Sequence, residues 1–386
     1  MKECGMSDKR SIFEEVGAET KPAPKATPGL ISSGRDTAKR AIRLWLHLLL
    51  GLVALMIVIG GLTRLTDSGL SITEWKPVTG AVPPMNAAAW QDAFSKYQQT
   101  PEYILQNKGM SLSEFKSIFW WEWGHRQLGR LIGLVWALGF FWFLARRQIP
   151  TGWTGRLLGL GLLGGLQGAI GWWMVASGLI GRMVDVASYR LAAHLGLAFI
   201  IIGLISWYLF TLKRGAKDLL QARRNRETGL SRLAGILLAL VFFQILLGAL
   251  VAGIDAGRGY IDWPLMNGQF LPDESFDYQP LWSNFFENPA LVQFNHRMLG
   301  YLVGLFAVFA WWQARKSPLT ASRQAFGRVL LLILVQMGLG IVTVLYAAPW
   351  QIAILHQIWA IIIIVFVLHA RFLAMYPQAQ SLRQSR

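Results

Sequence analysis

One pattern occurs twice in this chain and constrains its fold more than any other feature. Residues 122–134 read EWGHRQLGRLIGL and residues 293–305 read QFNHRMLGYLVGL. Each sets a His-Arg pair at the mouth of a long apolar run, with glycines repeating behind it. A second echo follows each: AAHLGLAFI around His194, then ILHQIWAII around His356. Between them lie LQGAIGWWMV from Leu166 and VQMGLGIVTV from Val335. His125 to His296 is 171 positions, Gln167 to Gln336 is 169, and His194 to His356 is 162. Offsets this similar read as one four-helix unit copied with loops of different length. Each copy carries two matched histidines.

The runs themselves belong in a membrane. The chain is 54% hydrophobic with a mean hydropathy of +0.39, and its apolar residues gather in uncharged stretches near the length a bilayer requires. Eight such spans are expected, at about 44–64, 127–145, 157–177, 191–212, 233–254, 298–312, 329–346 and 352–370. The fold class expected is therefore all-α: a polytopic membrane protein with eight transmembrane helices in two parallel-repeat four-helix bundles. Four spans per copy is an even number, so both copies share one orientation. That weakens the alternative of a transporter built on inverted repeats.

A net charge of +16 raises nucleic acid as a partner, and the distribution of the charge argues against it. Basic residues collect in alternate connections: Arg35 to Arg43, Arg146 to Arg156, the block at 213–232, Arg315 to Arg328, and the C-terminal arginines. The connection from Asp255 to Glu287 instead holds six acids against the single Arg258. This is the positive-inside pattern and places both termini in the cytoplasm. Membrane lipid is the expected surroundings, with no nucleic acid. Cys4 is the only cysteine, which excludes an intramolecular disulfide. Residues 1–40 are polar, carry Pro22, Pro24 and Pro28, and contain no signal-peptide core. Acids among them argue against mitochondrial targeting and favour a bacterial inner membrane. The divisions expected are a tail at 1–40, a bundle at 41–212, a basic linker at 213–232, a second bundle at 233–373 and a tail at 374–386.

This orientation puts His125, His194, His296 and His356 near the outer, periplasmic ends of their helices, while His47 and His369 fall toward the inner ends. Imidazole inside a membrane is costly unless it is hydrogen-bonded or ligated. Helix-to-helix hydrogen bonds are one reading. The repeat favours another: histidine pairs on neighbouring helices clamping a haem iron from both faces, with glycines admitting the flat macrocycle. Zinc or copper would want thiols or an HExxH spacing, and the chain offers neither. Arg126 and Arg297, each directly after a histidine, together with Arg64, Arg130 and Arg182, are candidates for haem propionates or for snorkelling to headgroups. Where the first copy has Arg130 the second has Tyr301, so the two sites are similar but unequal. Glu74, in the long outer segment at 67–120, and Glu122, one helical turn before His125, are the acids best placed for proton handling.

These residues together resemble the haem A synthase family, in the form found in alphaproteobacteria and mitochondria. The resemblance rests on GGLTRLTDSGLSITEWKPVTGAVPP at 60–84, EWGHRQLGR at 122–130, GWWMVASGL at 171–179 with His194, and FNHRMLGY at 294–301 with His356. It covers about 40–373. The resemblance implies oxidation of the C8 methyl of haem O to a formyl group, giving haem A for cytochrome oxidase. It implies a haem b cofactor on His296 and His356 and a haem O substrate on His125 and His194. The family's catalytic glutamate would fall on Glu74. An electron donor and the enzyme that makes haem O would be partners, and homo-oligomerisation stays open. Related bacterial proteins carry a cysteine pair in the first outer loop, and its absence here excludes thiol chemistry there. A di-haem electron relay and a haem carrier are the rival readings.

Overall fold

The computed structural model describes residues 30–179 and 184–378. Cys4, Arg182, most of the expected N-terminal tail and residues 379–386 lie outside the described residues. Twelve helices are formed: α1 Leu30–Leu65, α2 Ala87–Tyr97, α3 Pro101–Leu105, α4 Leu112–Ala145, α5 Thr154–Gly178, α6 Ser188–Leu212, α7 Ala216–Arg224, α8 Thr228–Gly253, α9 Asn284–Glu287, α10 Pro289–Ala314, α11 Thr320–Leu345 and α12 Trp350–Met375. No strand occurs among the described residues. Seven of these helices are long and apolar enough to cross a membrane: α1, α4, α5, α6, α8, α11 and α12. The chain is a multi-pass membrane protein. The eighth long helix, α10, matches α8 and α11 in length but opens on polar residues, including Gln293, Asn295, His296 and Arg297.

Several helices start earlier than the apolar runs predict, because capping residues and polar first turns set their beginnings. α4 begins at Leu112, where Ser111 accepts from the Glu114 amide and Glu114 reaches back to the Ser111 amide, a complete capping box. α10 begins at Pro289, its orphan amides capped by the Asn288 side chain. α1 starts at Leu30, so 30–40 is helix and not tail, and the basic linker holds α7 with α8 already under way at Thr228. α1 and α8 both finish on an aspartate in the left-handed region, Asp67 at φ 47° and Asp255 at φ 51°.

α1 packs on α4, α4 on α5, α5 on α6, and α6 returns to α1. Likewise α8 packs on α10, α10 on α11, α11 on α12, and α12 returns to α8. The two rings meet along α6, α8, α12 and α1. Half of the apolar window of α6 is buried, against 11% in α5 and α11, so α6 is a central post and the other two face outward. On α4, Leu131, Leu134, Leu138 and Phe141 form an exposed apolar face at helical spacing, as lipid contact requires. Leu46, Phe199, Ile202, Ile205, Leu237 and Val367 fill the middle.

The outer segment after α1 has a small core of its own, Trp90, Phe94, Tyr97, Phe115 and Phe119. Glu102 is set against it, only 3% exposed, with one carboxyl oxygen buried and without a hydrogen bond. Burial, and then the charges of Asp185, Glu122 and Asp67, push its carboxyl up to about 8 from an ordinary 4.5. The folded state therefore binds a proton that the unfolded chain releases. Its stabilising effect is full below about 4.5 and is lost as pH rises through about 8. Thermal unfolding in detergent is expected to move down between roughly pH 5 and pH 8 and to level off above that, and Glu102→Gln is expected to flatten that slope. An unchanged slope in the variant would assign the effect elsewhere.

Candidate functional site

Four times a histidine ring lies over a glycine of the long helix that precedes its own: α1 for α4, α5 for α6, α8 for α10 and α11 for α12. A Cβ on Gly60 would come within 2.8 Å of the His125 ring, on Gly171 within 2.9 Å of His194, on Gly248 within 3.0 Å of His296, and on Gly340 within 3.0 Å of His356. Any larger residue would push the imidazole aside, so each glycine is a seat that only hydrogen can line. All four histidines are half-buried. The Nδ1 atoms of His125, His194 and His356 are buried and form no hydrogen bond, which leaves each a ring nitrogen without a protein partner.

His296 on α10 and His356 on α12 face each other, ring centroids 6.4 Å apart and planes at 73°. A metal–imidazole bond of about 2 Å on each side of one ion would separate two ring centroids by roughly 6 Å. The pair thus fits an iron held between opposed imidazoles, the donor set of a six-coordinate haem. His125 on α4 and His194 on α6 lie within electrostatic reach of each other in the first ring. Among the described residues no three His, Cys, Asp or Glu side chains converge.

A clasp above each pair ties the outer loop to the helix that bears the histidine. Arg126 follows His125 and donates to the Ile72 carbonyl at 2.8 Å, the Glu74 carbonyl at 3.1 Å and the Glu122 carboxylate at 2.6 Å. Glu122 also accepts from Ser71 Oγ and the Ile72 amide, both at 2.7 Å, so this buried carboxylate is fully engaged. In the second ring Arg297 follows His296 and donates to the carbonyls of Tyr260, Asp262 and Leu265, each at 2.9 Å. Gln293 stands where Glu122 does and meets Arg297 at 3.1 Å. The Arg130 and Tyr301 difference repeats the theme. Arg130 donates to the carbonyls of Lys76 and Pro77, while Tyr301 accepts from the Trp263 indole. Arg126, Arg130 and Arg297 thus hold loops over the histidines.

The remaining candidates are placed differently. Arg64 joins the two rings: it donates to Asp67 at 2.7 Å and to Asp255 at 2.9 Å, with Asp185 at 3.6 Å. The Glu74 carboxylate faces outward at 44% exposure, paired with Lys76 at 2.9 Å and Lys96 at 3.1 Å. Hydrogen bonds from Lys76 and Lys96 hold its pKa below the usual carboxylate range. Its backbone is nevertheless part of the site through Arg126, and the next residue, Trp75, packs on Trp172 beside the Gly171 seat, centroids 5.0 Å apart. The carboxylate adjoining the histidine's own helix turn is that of Glu122.

Three glutamines complete the seats. Each stands four residues before a seat glycine, and its Nε2 donates to the backbone carbonyl of the facing histidine: Gln167 to His194 at 3.0 Å, Gln244 to His296 at 2.9 Å, Gln336 to His356 at 3.0 Å. Gln244 escaped the repeat comparison because its counterpart in the first copy is Met56. A search for glutamine four before glycine, across all helices, would have found it.

A family model described as COX15-CtaA, cytochrome oxidase assembly protein, matches residues 43–368. The chain belongs to that family. Among its relatives, Heme A synthase of Dinoroseobacter shibae is 62% identical over 379 residues, covering 98% of this chain and 99% of the relative. Heme A synthase of Ruegeria pomeroyi is 60% identical over 380 residues, covering 98% and 100%. That of Paracoccus denitrificans is 57% identical over 375 residues, covering 97% and 98%.

Within this family member the clasp at Arg126 is testable alone. Arg126→Met strands the buried Glu122 charge and is expected to cost roughly 3–5 kcal/mol. The double variant with Glu122→Gln is expected to regain a measurable part. Thermal midpoints of the single and double variants check this, and a double variant no more stable than the single would refute charge pairing as the clasp.

Proposed function

We propose that this protein oxidises the C8 methyl of haem O to a formyl group and so makes haem A for cytochrome oxidase. The observation that carries the reading is the set of four histidines on glycine seats, with His296 and His356 opposed, in a chain 57–62% identical to Heme A synthases along nearly its whole length. Eight long helices are read as eight spans, α10 included, since its polar opening is taken up by the Arg297 clasp. The two closed rings are read as parallel copies of one bundle, at 41–212 and 233–373, joined by the basic linker at 213–232. By the charge alternation both termini face the cytoplasm of a bacterial inner membrane, and the histidines lie toward the periplasmic side.

Methyl to formyl is a four-electron oxidation, R–CH3 + O2 → R–CHO + H2O overall, with molecular oxygen as the terminal oxidant whether the formyl oxygen comes from oxygen or from water. His125 and His194 would hold the substrate's iron and so position the macrocycle beneath the loop that Arg126 clasps. His296 and His356 would hold a resident b-type haem, which when bound would supply one-electron transfer. Arg126 and Arg297 keep the loops closed over the histidines and keep bulk water from the reacting edge. Glu74, ionised between two lysines at the loop surface and tied through its carbonyl to Arg126, takes protons outward. Arg64 and Arg130 hold the loop ends and, with Arg126 and Arg297, supply the cationic charge that haem propionates would meet. An electron donor and the enzyme that makes haem O meet the protein in the membrane.

The test is mass analysis of haem extracted from membranes that supply haem O. Haem A is expected with the parent chain, and a loss of at least about tenfold with Glu74→Gln and with His296→Ala. Haem O recovered unchanged from fully haem-loaded, reducible parent protein, with oxygen and donor present, would overturn the reading in favour of a relay or carrier.

A further inference from the structure

Three of the four histidines are braced by a glutamine, and the fourth is not. The brace has two parts. The amide donates to the histidine's backbone carbonyl, and it also lies against the ring: Gln167 is 3.3 Å from His194 Nε2 and Gln336 is 3.3 Å from His356 Nε2. Gln244 is 3.1 Å from His296 Nδ1 and 3.4 Å from its Nε2. A ring held at its own nitrogen, by a group anchored on the same residue's backbone, resists rotation about its side-chain bonds.

At His125 the corresponding residue is Met56, four before the Gly60 seat. The correspondence holds in space as well as in sequence. Gly129 and Gly300 each lie four residues after a histidine. The Met56 methyl is 3.5 Å from a Cβ on Gly129, and Gln244 Nε2 is 3.2 Å from a Cβ on Gly300. The two side chains fill one place in the two rings, yet a thioether donates no hydrogen bond. The His125 ring also sits differently. In the other three seats Nε2 comes within 3.7–3.9 Å of the Cβ position, whereas at Gly60 only Cε1 and Nδ1 come within 4 Å. The buried Nδ1 of His125 is unbonded like those of His194 and His356, but no glutamine amide lies against the His125 ring as one does against the other three.

We propose that Met56 is a positioning residue: by withholding the amide that braces the other three histidines, it leaves His125 the one imidazole of the four free to turn away from its partner. The pair His296 and His356 is braced on both sides, as a permanently held group requires. The pair His125 and His194 is braced on one side only, so a bound haem can enter, leave, or expose one face of its iron there. This rests on the assignment of His125 and His194 to the substrate haem. It goes beyond that assignment in naming which ligand lets go and which residue permits it.

The experiment uses the full chain, purified with haem in both sites, in three forms: parent, Met56→Gln and Gln244→Met. Carbon monoxide binding to the dithionite-reduced protein is followed optically, with haem content measured on the same samples. In the parent, only the first-site haem is expected to bind carbon monoxide. Met56→Gln is expected to slow that binding about tenfold at unchanged haem content. Gln244→Met, the reverse exchange in the other ring, is expected to make the second haem bind it. Met56→Leu, which restores no amide, is expected to behave as the parent and so separates bracing from mere repacking. Parent-like binding in Met56→Gln at full haem content, or equal slowing in Met56→Leu, would overturn the proposal. Failure of haem A formation in the parent, with this order of binding intact, would instead count against the synthase reading alone.

Discussion

The structure depends on one contact made four times: an imidazole lying on a helical glycine. A histidine ring inside a membrane needs partners, and two helices must approach closely for the ring to reach its place. Glycine on the facing helix allows that approach because nothing projects from it. The seats at Gly60, Gly171, Gly248 and Gly340 set how adjacent helices lie against each other around both rings. The apolar core adds adhesion without comparable direction, since most of its side chains are interchangeable aliphatics.

Polar residues around the seats divide the labour by depth. Glutamines at the level of the rings hold imidazoles; arginines one residue after a histidine hold loops. Arg297 spends its donors on backbone carbonyls and the Gln293 amide oxygen, which do not titrate, whereas Arg126 divides its donors between the Ile72 and Glu74 carbonyls and the Glu122 carboxylate. Arg64 does a third job: by bonding Asp67 and Asp255, which follow the ends of α1 and α8, it fixes one helix ring against the other. The two copies diverge where unequal tasks would require it, at Glu122 against Gln293, Arg130 against Tyr301, and Met56 against Gln244.

Much of this was legible in the chain. The four histidines, the repeat that pairs them, and the glycines near them are periodic features, and periodicity survives without coordinates. The long helices were legible for the same reason, though their starts were not: Ser111 with Glu114, and Asn288 with Pro289, begin α4 and α10 before the apolar runs do. Glu74 shows a different limit. A loop motif names an acid but not the direction of its side chain, and here Lys76 and Lys96 draw the carboxylate outward while Arg126 grips its carbonyl.

Composition, repeat and charge alternation alone determined an all-helical membrane protein with four matched histidines near one face. They do so because hydrophobic length, periodicity and the placement of cations are properties of the chain taken in order. Tertiary structure alone decided which glycine seats which ring, that the arginines clasp loops, and that Met56 stands in the place of a glutamine. Each of those is a contact between residues far apart in sequence, set by how two helices cross and which side chain fills the gap between them.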